Sequence, residues 1–276
     1  ASTTVTFEYG LDTSYGTTIT AVESPATGSS ATSVSKAISG LAAGTTYHYR
    51  VTGINAGGTA NGSDQSFTTP KQSQTITFNA LPVKTYGDAD FIPAATASSG
   101  LTVSYTTSDP NVATIVGGLI HIVGTGTCTI YADQVGNAEY LPASQVNQTF
   151  TVSQATLTVT AVAKTKVYGD SNPALTFTYS GWVNGEETID TPPTISTTVS
   201  ETSAVDTYTE AITLAGGTDN NYTFKLVAGN FEVTKAELTV TADNQTKVYG
   251  SANPSLTFKY SGWVNGEETI DTPPTI

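Results

Sequence analysis

The sequence predicts an all-β protein made of small β-sandwich domains that follow one another in an elongated row. The segment 180–195 recurs letter for letter at 261–276, so the pattern repeats after 81 residues, which is the size of one small domain. Thr and Val suit pleated sheets, and Gly, Asn, Asp and Pro suit turns; both groups are spread along the whole chain. No stretch shows the hydrophobic period of an amphipathic helix.

Length and composition limit both the domain count and the class of partner. With 276 residues the chain has room for two to four domains, and 38% apolar residues suffice for several small cores but not for one large core. The net charge is −13, with only ten Lys and Arg residues, so the chain repels phosphate backbones and anionic membrane surfaces. No apolar run approaches the ~20 residues of a membrane span. We expect neither nucleic-acid binding nor membrane insertion.

The chain has one cysteine and no methionine, which bears on the compartment in which it resides and on the processing of its N-terminus. One Cys excludes an intrachain disulfide, which fits the cytosol or the surface of a bacterium that exports β-domains without disulfides. No signal peptide is present, and the first residue is Ala, so we expect a processed N-terminus or a fragment.

The first domain is expected at residues 1–70. Leu41, Thr45, Tyr47 and Val51 have the spacing of the bacterial fibronectin type III family, which this segment resembles. Alternation places Tyr47, Tyr49 and Val51 on one face of a strand. In sandwiches, a Tyr at this place often ties the corner through its hydroxyl. Residues 4–10 look like the third strand of that family, so we expect its first two strands to be missing.

The second domain is expected at residues 71–153. In segment 108–115 an Asp-Pro turn precedes a predicted strand, and in segment 123–130 a glycine-containing turn precedes a strand of alternating pattern. These two motifs resemble a bacterial immunoglobulin-like domain. Cys128 shares a face with Ile130, which predicts a buried small hydrophobe rather than a reactive thiol.

Two further domains are expected from the 81-residue repeat. Leu-Thr-Val-Thr-Ala at 157–161, Lys-Val-Tyr-Gly-Asp at 166–170 and Tyr-Ser-Gly at 179–181 largely return at 238–242, 247–251 and 260–262. These motifs resemble the bacterial adhesin repeat called the MBG domain, YGX type. The resemblance implies one complete repeat at 154–235 and the first half of another at 236–276. The family name suggests a β-grasp relative, and the sequence pattern leaves β-grasp-like and sandwich folds open.

The second copy lacks counterparts for half of the expected core. The complete copy contributes an alternating set of large side chains after residue 200: Tyr208, Ile212, Leu214, Tyr222, Phe224, Phe231 and Val233. The second copy reaches only to residue 276, which leaves six apolar side chains without these partners: Leu238, Val240, Val248, Leu256, Phe258 and Trp263. We expect strands from a continuing or neighbouring chain to cover them.

The linkers between the predicted domains are short. Two linkers of four residues each, 153–156 and 234–237, connect the last strand of one domain to the first strand of the next. A four-residue linker spans at most ~14 Å. Neither is a Gly/Ser-rich coil. We therefore expect a nearly straight row, more than ~100 Å long.

The Tyr-Gly-Asp turn is the best metal candidate. Carboxylate and amide oxygens of four residues could serve Ca²⁺: Asp88, Asp90, Asp170 and Asn172. The competing interpretation is a turn in which Gly169 has positive φ and Asp170 bonds its own backbone. The second copy has Ser251 in place of Asp170, which favours the turn and predicts no metal.

No catalytic arrangement emerges from the remaining polar residues. The adjacent acids Glu186 and Glu187, like Glu267 and Glu268, lie in a loop and cannot flank a cleft as a glycosidase pair must. His48 and His121 have no Ser or Cys motif near them. We expect no enzyme activity and no cofactor.

Two aromatic residues, Trp182 and Trp263, are the candidate surface contacts. An exposed Trp could stack on sugars, whereas the alternative is an aromatic side chain filling a small core.

The resemblances imply a non-enzymatic stalk or fibre segment of a bacterial cell-surface adhesin, projecting a distal binding region. One alternative is a filament subunit whose end domains are completed by strands of neighbouring copies through β-strand edges. Another is a carbohydrate-binding module of a secreted enzyme. The expected partners are other copies or a continuation of the same chain through β-strand edges, and host or environmental proteins or glycans.

Overall fold

The computed structural model describes residues 2–275, which contain strands and turns but no helix, and this confirms the all-β prediction. The strands are β1 (Thr4–Gly10), β2 (Thr17–Thr20), β3 (Thr46–Asn55), β4 (Gly58–Asn61), β5 (Gln65–Thr68), β6 (Ile76–Thr77), β7 (Lys84–Thr85), β8 (Thr96–Ala97), β9 (Ser104–Thr107), β10 (Ala113–Val116), β11 (Leu119–Ile122), β12 (Gly126–Asp133), β13 (Val146–Ser153), β14 (Ala155–Ala161), β15 (Lys164–Val167), β16 (Phe177–Ser180), β17 (Thr194–Thr197), β18 (Asp206–Ala215), β19 (Tyr222–Val227), β20 (Gly229–Thr234), β21 (Thr239–Ala242) and β22 (Phe258–Ser261). They form two compact units, one of residues up to 83 with 89–151, the other of 84–88 with residues from 152 onward.

The first unit opens with a five-stranded antiparallel sheet centred on β3, which pairs with β1, β4 and β5, while β2 pairs with β1. The Tyr47 ring stacks on Phe67, which is its cross-strand partner, with ring centroids 5.9 Å apart. The hydroxyl of Tyr47 accepts a hydrogen bond of 3.1 Å from the backbone N–H of Ala42. This confirms the corner bond expected of Tyr47.

The rest of the first unit is built from short strands around one core. β6 pairs with β8, β10 with β11, and β12 lies between β9 and β13. Gly117 and Gly118 join β10 to β11 with φ of 58° and 83°, the combination that a two-residue type I′ hairpin turn requires. Ile120, Ile130 and Cys128 are fully buried here, so the prediction that Cys128 is a core residue is confirmed.

In the second unit, residues 155–234 form two packed sheets. One has the order β16-β14-β19 and the other β15-β20-β18-β17, with β14 parallel to β19 and β15 parallel to β20. Every second residue of β14, including Leu157 and Val159, is buried, as expected for a strand with one face toward the core. Side chains of both sheets meet in one core that includes Ala161, Ile212 and Phe231. With two sheets and no helix, this repeat is a sandwich rather than a β-grasp fold.

Residues 236–275 form only the antiparallel pair of β21 and β22, and none of their side chains is buried. Val240 is 43% exposed, although its counterpart Val159 is fully buried. Val248 and Leu256 are more exposed still. Three of the six apolar side chains expected to lack packing partners are therefore exposed, whereas Leu238, Phe258 and Trp263 are half-buried.

The linkers are as short as expected. Gln154 alone separates β13 from β14, and residues 235–238 separate β20 from β21. The Gln154 amide donates to the Asp219 carbonyl at 2.8 Å, and its oxygen accepts from the Thr223 hydroxyl at 2.8 Å. The side chain therefore fixes the linker to the repeat that follows it. Among residues 2–275 there is no helix that could cross a membrane.

Candidate functional site

Three Tyr-Gly turns share one backbone conformation. In each, the fourth residue donates its N–H to the carbonyl of the first, and the glycine has φ between 80° and 91°, which a type II turn requires at its third residue. They comprise residues 85–88, 167–170 and 248–251. The prediction that Gly169 takes positive φ is confirmed by its φ of 88°.

Two Asn-Gly turns are of a different type, with positive φ at both central residues. They comprise residues 183–186 and 264–267. Asn184 and Gly185 have φ of 55° and 73°, and the N–H of Glu186 donates to the carbonyl of Val183 at 3.2 Å. The same geometry recurs 81 residues later. These are type I′ turns, for which Asn-Gly is the preferred dipeptide. The acidic pairs of the sequence therefore lie at the ends of turns rather than across a cleft.

The backbone of a Tyr-Gly turn lies directly against the valine of an Asn-Gly turn. A β-carbon built on Gly87 would lie 2.6 Å from Cβ of Val183, and one built on Gly169 would lie 2.7 Å from Cβ of Val264. Bonded neighbours aside, carbons do not approach this closely, so only glycine fits at either position. We call these two contacts the docking pairs: 85–88 with 183–186, and 167–170 with 264–267.

A tyrosine completes each docking pair. The Tyr168 hydroxyl donates to Oε1 of Glu267 at 2.8 Å. At the equivalent place Tyr86 is only 4% exposed, and its hydroxyl has the side chains of Asn184 and Glu186 as partners. Burial, as the largest effect, raises the pKa of Tyr86. Both pairs therefore combine a glycine–valine contact with a tyrosine–carboxylate contact.

The two candidate tryptophans, Trp182 and Trp263, immediately precede the Asn-Gly turns and pack against neighbouring tyrosines. Trp182 is half-buried and lies edge-on to Tyr222 at 5.5 Å and near Tyr179 at 5.3 Å. The Tyr222 hydroxyl accepts from the N–H of Val183 at 3.0 Å and donates to its carbonyl. Trp263 lies against Tyr260 at 5.4 Å in the second copy. Each Trp thus packs within an aromatic cluster and keeps part of its surface in solvent.

Three of the four candidate metal ligands make side-chain contacts with protein groups. Asp88 accepts from the Thr85 N–H at 3.0 Å, Asp90 contacts His121 at 2.7 Å, and the Asn172 amide donates to a backbone carbonyl.

At Asp170, the buried Lys166 ammonium donates to the backbone carbonyl at 2.9 Å and to that of Ser200 at 2.6 Å. Within residues 2–275 no cluster of three or more His, Cys, Asp or Glu side chains could hold a metal ion. A fixed ammonium at the Asp170 turn also disfavours a second cation there.

A polar cluster in the first unit lies outside every predicted site. His48 Nδ1 lies 2.8 Å from Oδ2 of Asp64, and the Tyr15 hydroxyl donates to Oδ1 of the same carboxylate at 3.0 Å. Arg50 pairs with Glu8 at 2.6 Å, and its guanidinium lies 4.7 Å from the centre of the Tyr15 ring. The hydrogen bond from His48, as the largest effect, lowers the pKa of Asp64.

Nothing in the sequence signals this cluster, because its members come from separate strands and loops. Burial, as the largest effect, raises the pKa of Tyr15, so its hydroxyl stays protonated and serves as a donor. The cluster therefore ties β3 to the neighbouring loops.

Comparison with solved structures gives distant likenesses to tandem β-domain proteins. Mouse cadherin-23 EC22-24 is similar with a TM-score of 0.28 and 10% identity over 84% of this chain and 86% of that one. Drosophila N-cadherin EC1-4 has a TM-score of 0.22 and 10% identity, covering 72% and 61% respectively. The human desmocollin-1 ectodomain has a TM-score of 0.24 and 9% identity, covering 70% and 48%. Similarity at this level carries no conclusion about function.

The family comparison is specific to the second unit. No curated protein matches the chain. Two segments, residues 157–232 and 238–273, match the model of the MBG domain (YGX type), and they are the two copies of the repeat that contain the Tyr-Gly and Asn-Gly turns. These two segments of the chain are therefore similar to the MBG domain (YGX type).

Proposed function

We propose that the chain is a non-enzymatic spacer, a stalk or fibre segment of a large bacterial extracellular adhesin that holds a distal binding region away from the cell. The observation that carries the proposal is the docking pair between the two MBG copies. The turn 167–170 of one copy contacts the turn 264–267 of the next, across a linker of only residues 235–238.

Two points of attachment restrict motion more than one. A short linker alone still allows rotation about its backbone bonds, whereas the linker together with a second contact fixes the angle between the copies. The hydrogen bond from Tyr168 to Glu267 is exposed to solvent, so it contributes about 1 kcal/mol. That is enough to favour one orientation without new secondary structure. A stiff row is what a spacer needs.

The electrostatics of the chain agree with a long extracellular segment. The net charge of −13 makes copies repel one another and keeps them dispersed. We propose residues 1–70 as a fibronectin type III-like domain and 71–153 as an immunoglobulin-like domain of the same row.

Small-angle X-ray scattering tests the spacer directly. We expect the profile of a rod with a maximum dimension above ~100 Å, given strands of ~3.3 Å per residue laid end to end. Gly169→Val, which opens the second docking pair, should broaden the distribution of distances, whereas Gly250→Val should leave it unchanged. A compact globule for the wild-type chain would overturn the proposal.

A glycan array separates this proposal from a carbohydrate-binding module. The spacer predicts no binding above background, and saturable binding to one glycan class that is lost in Trp182→Ala would favour the module instead.

A further inference from the structure

The segments by which the chain enters and leaves the complete repeat are bonded to each other. β15 pairs in parallel with β20 over residues 164–167 and 231–234, which we call the terminal patch. The N–H of Tyr168 donates to the carbonyl of Thr234 at 2.9 Å, and the Thr234 hydroxyl donates to the carbonyl of Lys166 at 3.1 Å. The chain enters the repeat through β14, directly before β15, and leaves it at the end of β20. The terminal patch therefore joins the entering chain to the leaving chain.

Tension along the chain loads the terminal patch in shear. A pull on the entering chain acts on β15 from the end at Lys164, and a pull on the leaving chain acts on β20 from the end at Thr234. These are opposite ends of the patch, because Lys164 pairs with Phe231 and Val167 pairs with Thr234. The two strands are therefore drawn past one another. Their hydrogen bonds run from strand to strand across the pull, so they must break together rather than one at a time.

Neither end of the repeat can unravel far while the terminal patch holds. Unravelling from the entry detaches β14 and then reaches β15, whereas unravelling from the exit starts with β20, which lies between β15 and β18. Lys166 attaches β15 at a further point. Its buried ammonium donates to the carbonyl of Ser200, in the loop between β17 and β18, at 2.6 Å.

A smaller patch of the same design lies directly before the repeat. β7 pairs in parallel with the end of β13, at residues 84–85 and 152–153. The N–H of Tyr86 donates to the carbonyl of Ser153 at 2.9 Å, which is the counterpart of the Tyr168 bond in the terminal patch. In both places a Lys-x-Tyr-Gly segment is bonded to a long strand immediately before a linker. The arrangement is therefore a recurring feature of this chain.

We propose that the terminal patch is a mechanical clamp, which keeps the repeat folded under tension and sets the force at which it unfolds. The inference goes beyond the spacer, because stiffness between domains and strength within a domain are separate properties. It follows from the order and register of the strands within one repeat, so it does not depend on what the chain projects.

Pulling the repeat in two directions within the full chain tests the clamp. Cysteines at exposed positions carry the handles in a Cys128→Ala background. Thr156→Cys with Lys235→Cys loads the terminal patch in shear, whereas Asp170→Cys with Lys235→Cys pulls both strands from the same end and peels them apart. At one constant force in optical tweezers, we expect the folded lifetime to be about tenfold longer or more in shear, because several hydrogen bonds must break in the rate-limiting step. Unfolding in shear releases about 80 residues, or roughly 27 nm of chain.

Two hydroxyl deletions separate a clamp from general stability. Thr234→Val removes the bond to the Lys166 carbonyl, and Thr194→Val removes a bond of 3.0 Å to the Ala215 carbonyl at the opposite edge of the same sheet. Under shear, Thr234→Val should shorten the folded lifetime about fivefold, which corresponds to one hydrogen bond. Thr194→Val should change it by less than about twofold, because its bond lies outside the loaded strands.

Equal lifetimes in the two pulling directions would overturn the clamp, and so would equal effects of Thr234→Val and Thr194→Val. The comparison of directions needs no change in the patch itself, so it stands even where a patch variant does not fold. Scattering measures the length of the row and pulling measures the strength of one repeat. A rod with a weak terminal patch would therefore leave the spacer intact while excluding the clamp.

Discussion

At the residue scale, a comparison of Gly169 with Gly250 separates the effect of positive φ from the effect of close packing. Both have positive φ, at 88° and 80°, so a β-branched residue is strained at either position. Only Gly169 also touches a neighbour, Val264, whereas Gly250 faces open space. Glycine is therefore required at position 250 by the backbone conformation alone, and at position 169 by both the backbone conformation and the close packing against Val264.

Gly169→Val should lower the melting temperature more than Gly250→Val does. Strain at positive φ costs about 1–3 kcal/mol at either position. Gly169→Val adds an overpacking cost of about 1–3 kcal/mol, because the new side chain meets Val264. Thermal unfolding followed by circular dichroism measures the difference. Equal destabilisation by the two variants would mean that the docking pair contributes nothing to stability.

The Asp64 cluster predicts an acid-sensitive first unit. The lowered pKa of Asp64 means that its carboxylate contributes stability that is present above its unfolded pKa of about 3.9 and is lost as pH falls through the folded value. Asp64→Asn should therefore lower the melting temperature at pH 5, and the gap to wild type should shrink toward pH 3. A gap that stays constant between these pH values would show that the His48 contact does not hold the carboxylate charged.

At the scale of the element, β14 and β21 show how one strand sequence acquires two environments. Both contain Thr-Val-Thr-Ala, and both pair antiparallel with a strand that contributes a Tyr-Ser dipeptide. β14 also pairs with β19 and lies under the β18–β20 sheet, whereas β21 pairs only with β22. Burial of the same side chains is therefore set by the strands around them.

Val159→Ala and Val240→Ala form a matched pair, because each removes the same atoms at the same position of the repeat. Val159 is fully buried, so its truncation should cost roughly 2 kcal/mol of unfolding free energy. Val240 is exposed, and its truncation should stay within about 0.5 kcal/mol of wild type. Urea denaturation gives both values. A comparable loss for Val240→Ala would indicate that a partner covers β21 in solution.

At the scale of the whole molecule, the chain should be indifferent to divalent cations. Carboxylate oxygens of Asp88 and Asp90 already contact protein groups, the amide N–H of Asn172 donates to the carbonyl of Val199, and the Lys166 ammonium bonds the backbone carbonyl of Asp170. A cation that bound the folded chain at a hundred times its Kd would stabilise it by about 2.7 kcal/mol, which raises the melting temperature by several degrees.

We expect melting curves in millimolar calcium and in excess chelator to coincide. A calcium-dependent rise that disappears in Asp170→Asn would instead restore the metal interpretation.

Features that depend on neighbouring residues could be predicted from the sequence. Alternation and turn residues predicted the all-β class, the repeat motif predicted the similarity to the MBG domain (YGX type), and the glycine of the Tyr-Gly turn predicted its positive φ. Cys128 was placed in the core because it alternates with Ile130 on one strand face. These predictions hold because strand alternation and turn conformation are decided by residues close together in the chain.

Features that depend on residues far apart in the chain could not be predicted and became visible in the folded chain. The parallel pairing of β14 with β19 and of β15 with β20 makes the repeat a sandwich, and no local pattern specifies which distant strands pair. In the second docking pair, Tyr168 and Glu267 are 99 positions apart. The Asp64 cluster joins Tyr15 and Asp64, which are 49 positions apart and belong to no common motif. The glycine of the Tyr-Gly turn was predictable as a turn residue. Its second role, to leave room for a valine, depends on a surface that folding alone brings to it.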